Sequence, residues 1–191
     1  MVHATHPVTR QTPVARIDRN EHHDVTICTL LDSEDFLDVF ANEVTTAHRS
    51  IKLSLYMLAE SWGHPLPPRE NLLKLLAKAA LDGLDCRAIL AIIPKRYAMP
   101  EFNMGAAKVL QEAGWHIRFM PAERFLHDKL FIFDNSTTII GSHNLSKTAM
   151  MSSYNVSVKI ESETFAQEAN GSFWLRWMKA QTTKRPDDLT A

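Results

Sequence analysis

Between residues 127 and 144 the chain reads His127-Asp-Lys129-Leu-Phe-Ile-Phe-Asp134-Asn-Ser-Thr-Thr-Ile-Ile-Gly141-Ser142-His-Asn144, a spacing of His-x-Lys-x4-Asp-x6-Gly-Ser-x-Asn. In an extended segment, residues two apart project to the same side, so His127 and Lys129 present an imidazole and an ammonium together. Ser142 and Asn144 share that spacing and begin where the next apolar run ends at Gly141. If the two segments are neighbouring strands, four polar groups meet at one mouth of a sheet. A base or nucleophile beside a fixed cation and two neutral donors is what a tetrahedral or trigonal phosphoryl group requires. Asp134 lies at the opposite strand parity from His127 and in a predicted turn, which makes it a supporting group. Each residue alone has a plainer reading. A lone strand histidine is ordinarily a hydrogen-bonded structural residue, Lys129 could snorkel from a sheet edge, Gly141-Ser142 could simply end a strand, and Asn144 could cap a helix from Leu145 onward. Those separate readings leave the joint spacing unexplained.

Periodicity predicts the elements that must position these groups. Residues 25–31 are apolar and β-branched, as in a strand. Ser33 is placed to cap the next segment, with Glu34 and Asp35 in its first turn and Phe36, Leu37, Phe40, Val44 and Ala47 along one helical stripe. Residues 51–58 form a second strand, the proline-rich run 62–68 a loop, and residues 70–82 a helix closed by Gly83. The apolar run 86–93 suits a strand covered on both faces. Phe102, Ala106, Val109, Leu110 and Ala113 recur at helical spacing before Gly114, and Trp115, Ile117 and Phe119 then alternate with His116 and Arg118. This βαβαβαβ order implies parallel strands with crossover helices. After Pro121, close-set strands are expected over 127–134, 137–142 and 154–160, with a short helix from Leu145 and a terminal helix over 163–180. Gly171 inside that last helix costs ~1 kcal/mol against Ala. The expected fold is α/β: a mixed, largely parallel β-sheet with helices on both faces.

The stretch from His127 to Asn144 resembles the HKD motif of the phospholipase D superfamily, including its Gly-Ser-x-Asn extension, and Ile51-Lys-Leu-Ser-Leu-Tyr56-Met-Leu resembles the same domain's earlier strand. The resemblance spans residues 25–180 and implies the phospholipase D/nuclease-like fold. Members work with two facing motifs, yet neither His116 nor His143 is followed two residues later by Lys. The resemblance therefore implies a C2 homodimer that completes the active site, as in the small single-motif nucleases of the superfamily. By the same resemblance, His127 attacks phosphorus to form a phosphohistidine, and His127 of the partner subunit protonates the leaving oxygen. Lys129, Ser142 and Asn144 bind the non-bridging oxygens, Asp134 supports the site, and neither metal nor other cofactor is required. Many relatives carry a Glu about ten residues beyond the motif Asn, whereas this chain reads Ser152-Ser153-Tyr154-Asn155. The imidazole must then be oriented by another group, such as the Tyr154 hydroxyl or a carboxylate from elsewhere.

Composition bounds the rest. The chain has 191 residues, 45% hydrophobic and 23% charged, as in an ordinary globular protein. Residues 25–181 are expected as one domain between tails at 1–24 and 182–191. No apolar run reaches the ~18 residues of a membrane span, and the first 24 residues lack a signal-peptide core, so a cytoplasmic location is expected. A net charge of −1 leaves only local basic patches to guide an anionic substrate, and Arg118, Arg124, Lys147 and the Lys95-Arg96 pair are candidates. Cys28 and Cys86 sit in apolar runs, and His22-His23 lacks a third ligand, so no metal site is expected. Phe173, Trp174, Trp177 and Met178 read as core or dimer contact. Nucleic acid is the expected substrate. The alternatives are a phospholipid, with the apolar loop 57–66 toward the bilayer, and a non-catalytic phosphate- or nucleic-acid-binding domain.

Overall fold

A computed structural model describes residues 15–17, 26–33, 35–59, 72–92, 102–121 and 125–182. In chain order the elements are β1 (Ala15–Ile17), β2 (Thr26–Leu31), α1 (Phe36–Thr46), β3 (Ser50–Leu55), α2 (Leu72–Leu81), β4 (Asp85–Ala91), α3 (Phe102–Glu112), β5 (His116–Met120), β6 (Lys129–Phe133), β7 (Thr137–Gly141), α4 (Lys147–Met151), β8 (Ser157–Glu161) and α5 (Glu163–Lys179). They form an eight-stranded sheet in the order β1-β2-β8-β7-β6-β3-β4-β5.

Strand parity divides the core in two. Ile51, Leu53 and Leu55 of β3, with Phe131 and Phe133 of β6, point toward α1, α2 and α3 and meet Phe36, Phe40, Leu76 and Leu110. Ile89, Ala91, Met120, Leu130 and Ile132 point the other way, against Phe173 and Trp177 of α5. Helices thus cover both faces of a mixed sheet. Gly83 and Gly114 follow α2 and α3 with φ of +94° and +106°, a left-handed turn that releases the chain into β4 and β5.

The pairing differs from the expected pattern in a specific way. Among the named strands, parallel pairing is confined to β3-β4 and β4-β5, and the other pairs are antiparallel. The β6–β7 hairpin enters the sheet beside β3, and β8 follows it. β2 is thereby displaced outward to pair with β8, although it still runs in the direction of β3. Ala15–Ile17, in the expected tail, adds a strand to β2.

Local capping also departs from expectation. The Ser33 hydroxyl does not cap α1; it donates to the Ser153 carbonyl (3.0 Å) and accepts from the Asn155 N–H (3.0 Å). Its place before the helix is taken by Asp32 Oδ1, which accepts from the Asp35 N–H (3.2 Å). Ser146, not Asn144, caps α4.

Candidate active site

β3 ends at Leu55, opposite Lys129 at the start of β6, and the Tyr56 N–H donates to the Asp128 carbonyl (2.9 Å). His127 therefore lies just outside the sheet, two positions before β6 and two steps beyond the end of β3. Its ring is exposed, 4.9 Å from the Tyr56 ring at 45° and 5.8 Å from the Phe125 ring at 20°. Neither ring nitrogen has a hydrogen-bond partner among the described residues. Lys129 is buried; its Nζ donates to the His127 carbonyl (2.9 Å) and stands 5.2 Å from the Tyr56 ring centre. Asp128, between them in sequence, points toward α5. There its Oδ2 accepts from Ser54 Oγ (2.8 Å) and Arg176 Nε (2.6 Å).

β7 ends at the same mouth. Its last residue, Gly141, comes so close to β8 that an added Cβ would lie 2.4 Å from Ser157 Cα and 2.5 Å from the Val156 carbonyl. Ser142 is held by that approach: its Oγ donates to Asn155 Oδ1 (3.0 Å) and accepts from the Val156 N–H (3.0 Å). The chain then runs beside the segment after β3, with the Leu145 N–H on the Met57 carbonyl (3.1 Å) and the Ala59 N–H on the Leu145 carbonyl (2.9 Å). Buried Asn103 fixes this segment, donating to the Tyr56 and Ala91 carbonyls and accepting from the Leu58 N–H, each at 2.8 Å. Backbone ties thus bring His127, Lys129, Ser142 and Asn144 to one end of the sheet. With Ser146 capping α4, Asn144 stays half-buried, and its Oδ1 has no hydrogen-bond partner among the described residues.

Asp134 lies at the opposite end of β6. Its φ is +53°, and its carboxylate accepts from the N–H groups of Arg49 (2.8 Å), Ser50 (2.9 Å) and His48 (3.0 Å). It clamps the turn into β3 and is not brought to the mouth. Of the basic residues expected there, Arg118 is committed to the Trp177 carbonyl (2.7 Å) and ring. Arg124, Lys95, Arg96, His22, His23, residues 60–66 and the Lys147 side chain lie outside the described residues. Tyr154 is fully exposed, with no hydrogen bond to His127. Asn155 stands within the stretch where relatives carry Glu, and it is spent on Ser142 and on the Ala149 carbonyl (3.0 Å).

The environment lowers the affinity of the site for protons. Partial burial and then the Lys129 charge push the His127 pKa down, with Asp128 opposing them. Burial likewise lowers the Lys129 pKa against the pull of Asp128. The first change favours a neutral imidazole, while the second works against the neighbouring ammonium. His143 belongs to the core instead: fully buried, stacked 4.1 Å from Phe36 at 11° and bonded to Ser157 Oγ (2.8 Å), it has its pKa pushed down to about 4 by burial. Among the described residues no group of three His, Cys, Asp or Glu could hold a metal.

Sequence reasoning passed over Phe125, Asp128 and Asn103. Phe125, two residues before His127, follows the parity used for His127 and Lys129 and could have been read that way. Nothing local in the sequence marks Asn103.

The family model described as "Cardiolipin synthase, PLD-like domain" matches residues 40–177. The chain belongs to this PLD-like family. No curated protein matches it as a relative by sequence. Its fold is similar to those of several solved structures. The phospholipase D family member Nuc from Salmonella typhimurium gives a TM-score of 0.70 at 20% identity, covering 84% of this chain and 99% of that chain. NucT from Helicobacter pylori gives 0.66 at 14%, covering 83% and 99%. Phosphatidylserine synthase from Haemophilus influenzae gives 0.67 at 13%, and there this PLD-like chain covers 42% of a longer one.

Proposed function

We propose that the protein is a metal-independent phosphodiester hydrolase working through a phosphohistidine at a site shared by two copies, with nucleic acid as substrate. The observation that carries this reading is the exposed His127 imidazole at the sheet mouth, packed beside the touching Tyr56 and Phe125 rings and next to the buried Lys129. A neutral ring nitrogen of His127 attacks phosphorus, and the bond to the leaving oxygen breaks as His127 of the partner subunit gives it a proton. Water then attacks the phosphohistidine, loses its proton to that second imidazole and releases phosphate monoester and free His127. Lys129 and the Asn144 amide face the non-bridging oxygens, where negative charge develops. Two identical imidazoles serve both roles because losing one proton relieves their mutual repulsion and makes the second proton harder to remove, so the pair titrates as a unit.

Nuc and NucT are matched over nearly their whole length, which supports a catalytic unit of this size. The family description and the exposed Phe125 ring favour a second reading, in which the esterified group is a phospholipid. Hydrolysis assays on single-stranded DNA, RNA, duplex DNA and phosphatidylcholine vesicles in EDTA distinguish the two. The expected result is turnover of a nucleic acid, a fall of about 10²–10⁴-fold in His127→Ala, and acid-labile phosphate on histidine in quenched enzyme. Light scattering should find a dimer in both proteins. Undiminished turnover by His127→Ala, or a fully active monomer, would overturn the proposal.

A further inference from the structure

A groove of about 630 Å³ runs between α5 and the ends of β3 and β4 far from the catalytic mouth. Five residues of β6 and its turn lie between Lys129 and Asn135 on the groove wall, and the strand steps from Lys129 to Phe133 alone span ~13 Å. Lys52 forms part of its floor and is 5% exposed. An ammonium has three N–H donors, yet among the described residues Lys52 Nζ bonds only to Asn135 Oδ1 (2.9 Å). The same oxygen accepts from Asn170 Nδ2 (2.8 Å), while Asn170 Oδ1 is buried without a partner. Arg49 adds a second cation, and Trp174 forms an aromatic wall, 37% exposed.

Gly171 points to a ligand independently. A glycine within a helix weakens it, and no packing compensates here: nothing lies within 4 Å of where its Cβ would stand. The missing side chain leaves the groove open beside Lys52 and Trp174.

We propose that this groove is a second ligand site that takes a nucleoside monophosphate. The phosphate sits against Lys52 and Arg49, the base lies along Trp174, and the sugar hydroxyls donate to the carboxylates of Asp85 and Glu163 on the groove wall. Inorganic phosphate would leave Glu163 unused and the exposed part of the Trp174 ring uncovered, although Arg87 already donates to Asp85 (2.9 Å) and stands 5.2 Å from the Trp174 ring centre. A nucleoside would leave Lys52 with its single bond. The site does not depend on the catalytic reading.

Isothermal titration calorimetry of the full chain with adenosine 5′-monophosphate, adenosine and inorganic phosphate tests this. The monophosphate should bind at least tenfold more tightly than either fragment. Its affinity should fall tenfold or more in Gly171→Leu and in Lys52→Met, and should persist in Lys129→Met, which alters the catalytic mouth. Lys52 is buried, so its replacement could disturb folding; Gly171→Leu projects into open space, and its thermal melt reports an intact fold. Binding that survives Gly171→Leu, is lost in Lys129→Met, or is matched by inorganic phosphate overturns the proposal, as does the absence of binding at millimolar monophosphate.

Discussion

Three titratable residues of the motif have separate fates, decided by what each touches. His127 is exposed beside the Tyr56 and Phe125 rings, whereas His143 is buried against Phe36 with its pKa pushed down to about 4. A histidine held below its unfolded value of ~6.5 leaves the unfolded chain binding more protons as pH falls. The stability it contributes is therefore complete above pH 6.5 and is lost progressively toward pH 4. Denaturant titrations across that window should show a falling midpoint, and the slope should flatten in His143→Phe, which keeps a ring beside Phe36. Asp134 titrates with the same sign lower down. Burial pushes its carboxyl up, but the N–H groups of Ser50, His48 and Arg49 more than offset this and hold it below the usual range. Its contribution is present above the unfolded value of ~4 and is lost as acid protonates the folded form. Asp134→Ala orphans those N–H groups and should cost about 1–3 kcal/mol at pH 7, read as a shift in urea midpoint. Hydrolysis per folded molecule should change little, because the site lies at the other end of β6.

At the scale of elements, Gly141 shows how a backbone contact sets a site. The approach of β7 to Val156 and Ser157 leaves no room for a methyl group, and backbone atoms cannot swing aside as a flexible side chain can. Gly141→Ala should destabilise by about 1–3 kcal/mol, as overpacking does, and should slow turnover by displacing Ser142 and Asn144; melts and rates on the same preparation check both. The strands and helices themselves were legible from periodicity. Leu31, Ile51, Leu53 and Leu55 announced β2 and β3, and Phe173 and Trp177 the buried side of α5. Strand order was not legible, because βαβ logic assumes that successive strands are neighbours, and a later hairpin can displace one without altering any local pattern. The motif spacing likewise indicated which groups share the mouth. It gave no sign of the Asn103 pin, whose three bonds reach residues 12 to 47 positions away.

Across the whole molecule the two layers are attached differently. The face carrying α1, α2 and α3 is continuous hydrocarbon, from Leu31 through Ile51 and Phe131 to Ile117. Beneath α5, by contrast, β3 offers Ser50, Lys52 and Ser54, and the helix is fastened partly by polar pins, Arg176 to Asp128 and Asn170 to Asn135. Polar pins trade with water at little net gain, while buried hydrocarbon does not. Deuterium should therefore enter the amides of α5 through an opening of that layer alone, well before β3, β4 and α2 lose their protection. Because Arg176 also holds Asp128, the residue between His127 and Lys129, each such opening would slacken the reactive pair, so the rhythm of the terminal helix sets how long the mouth stays in working order.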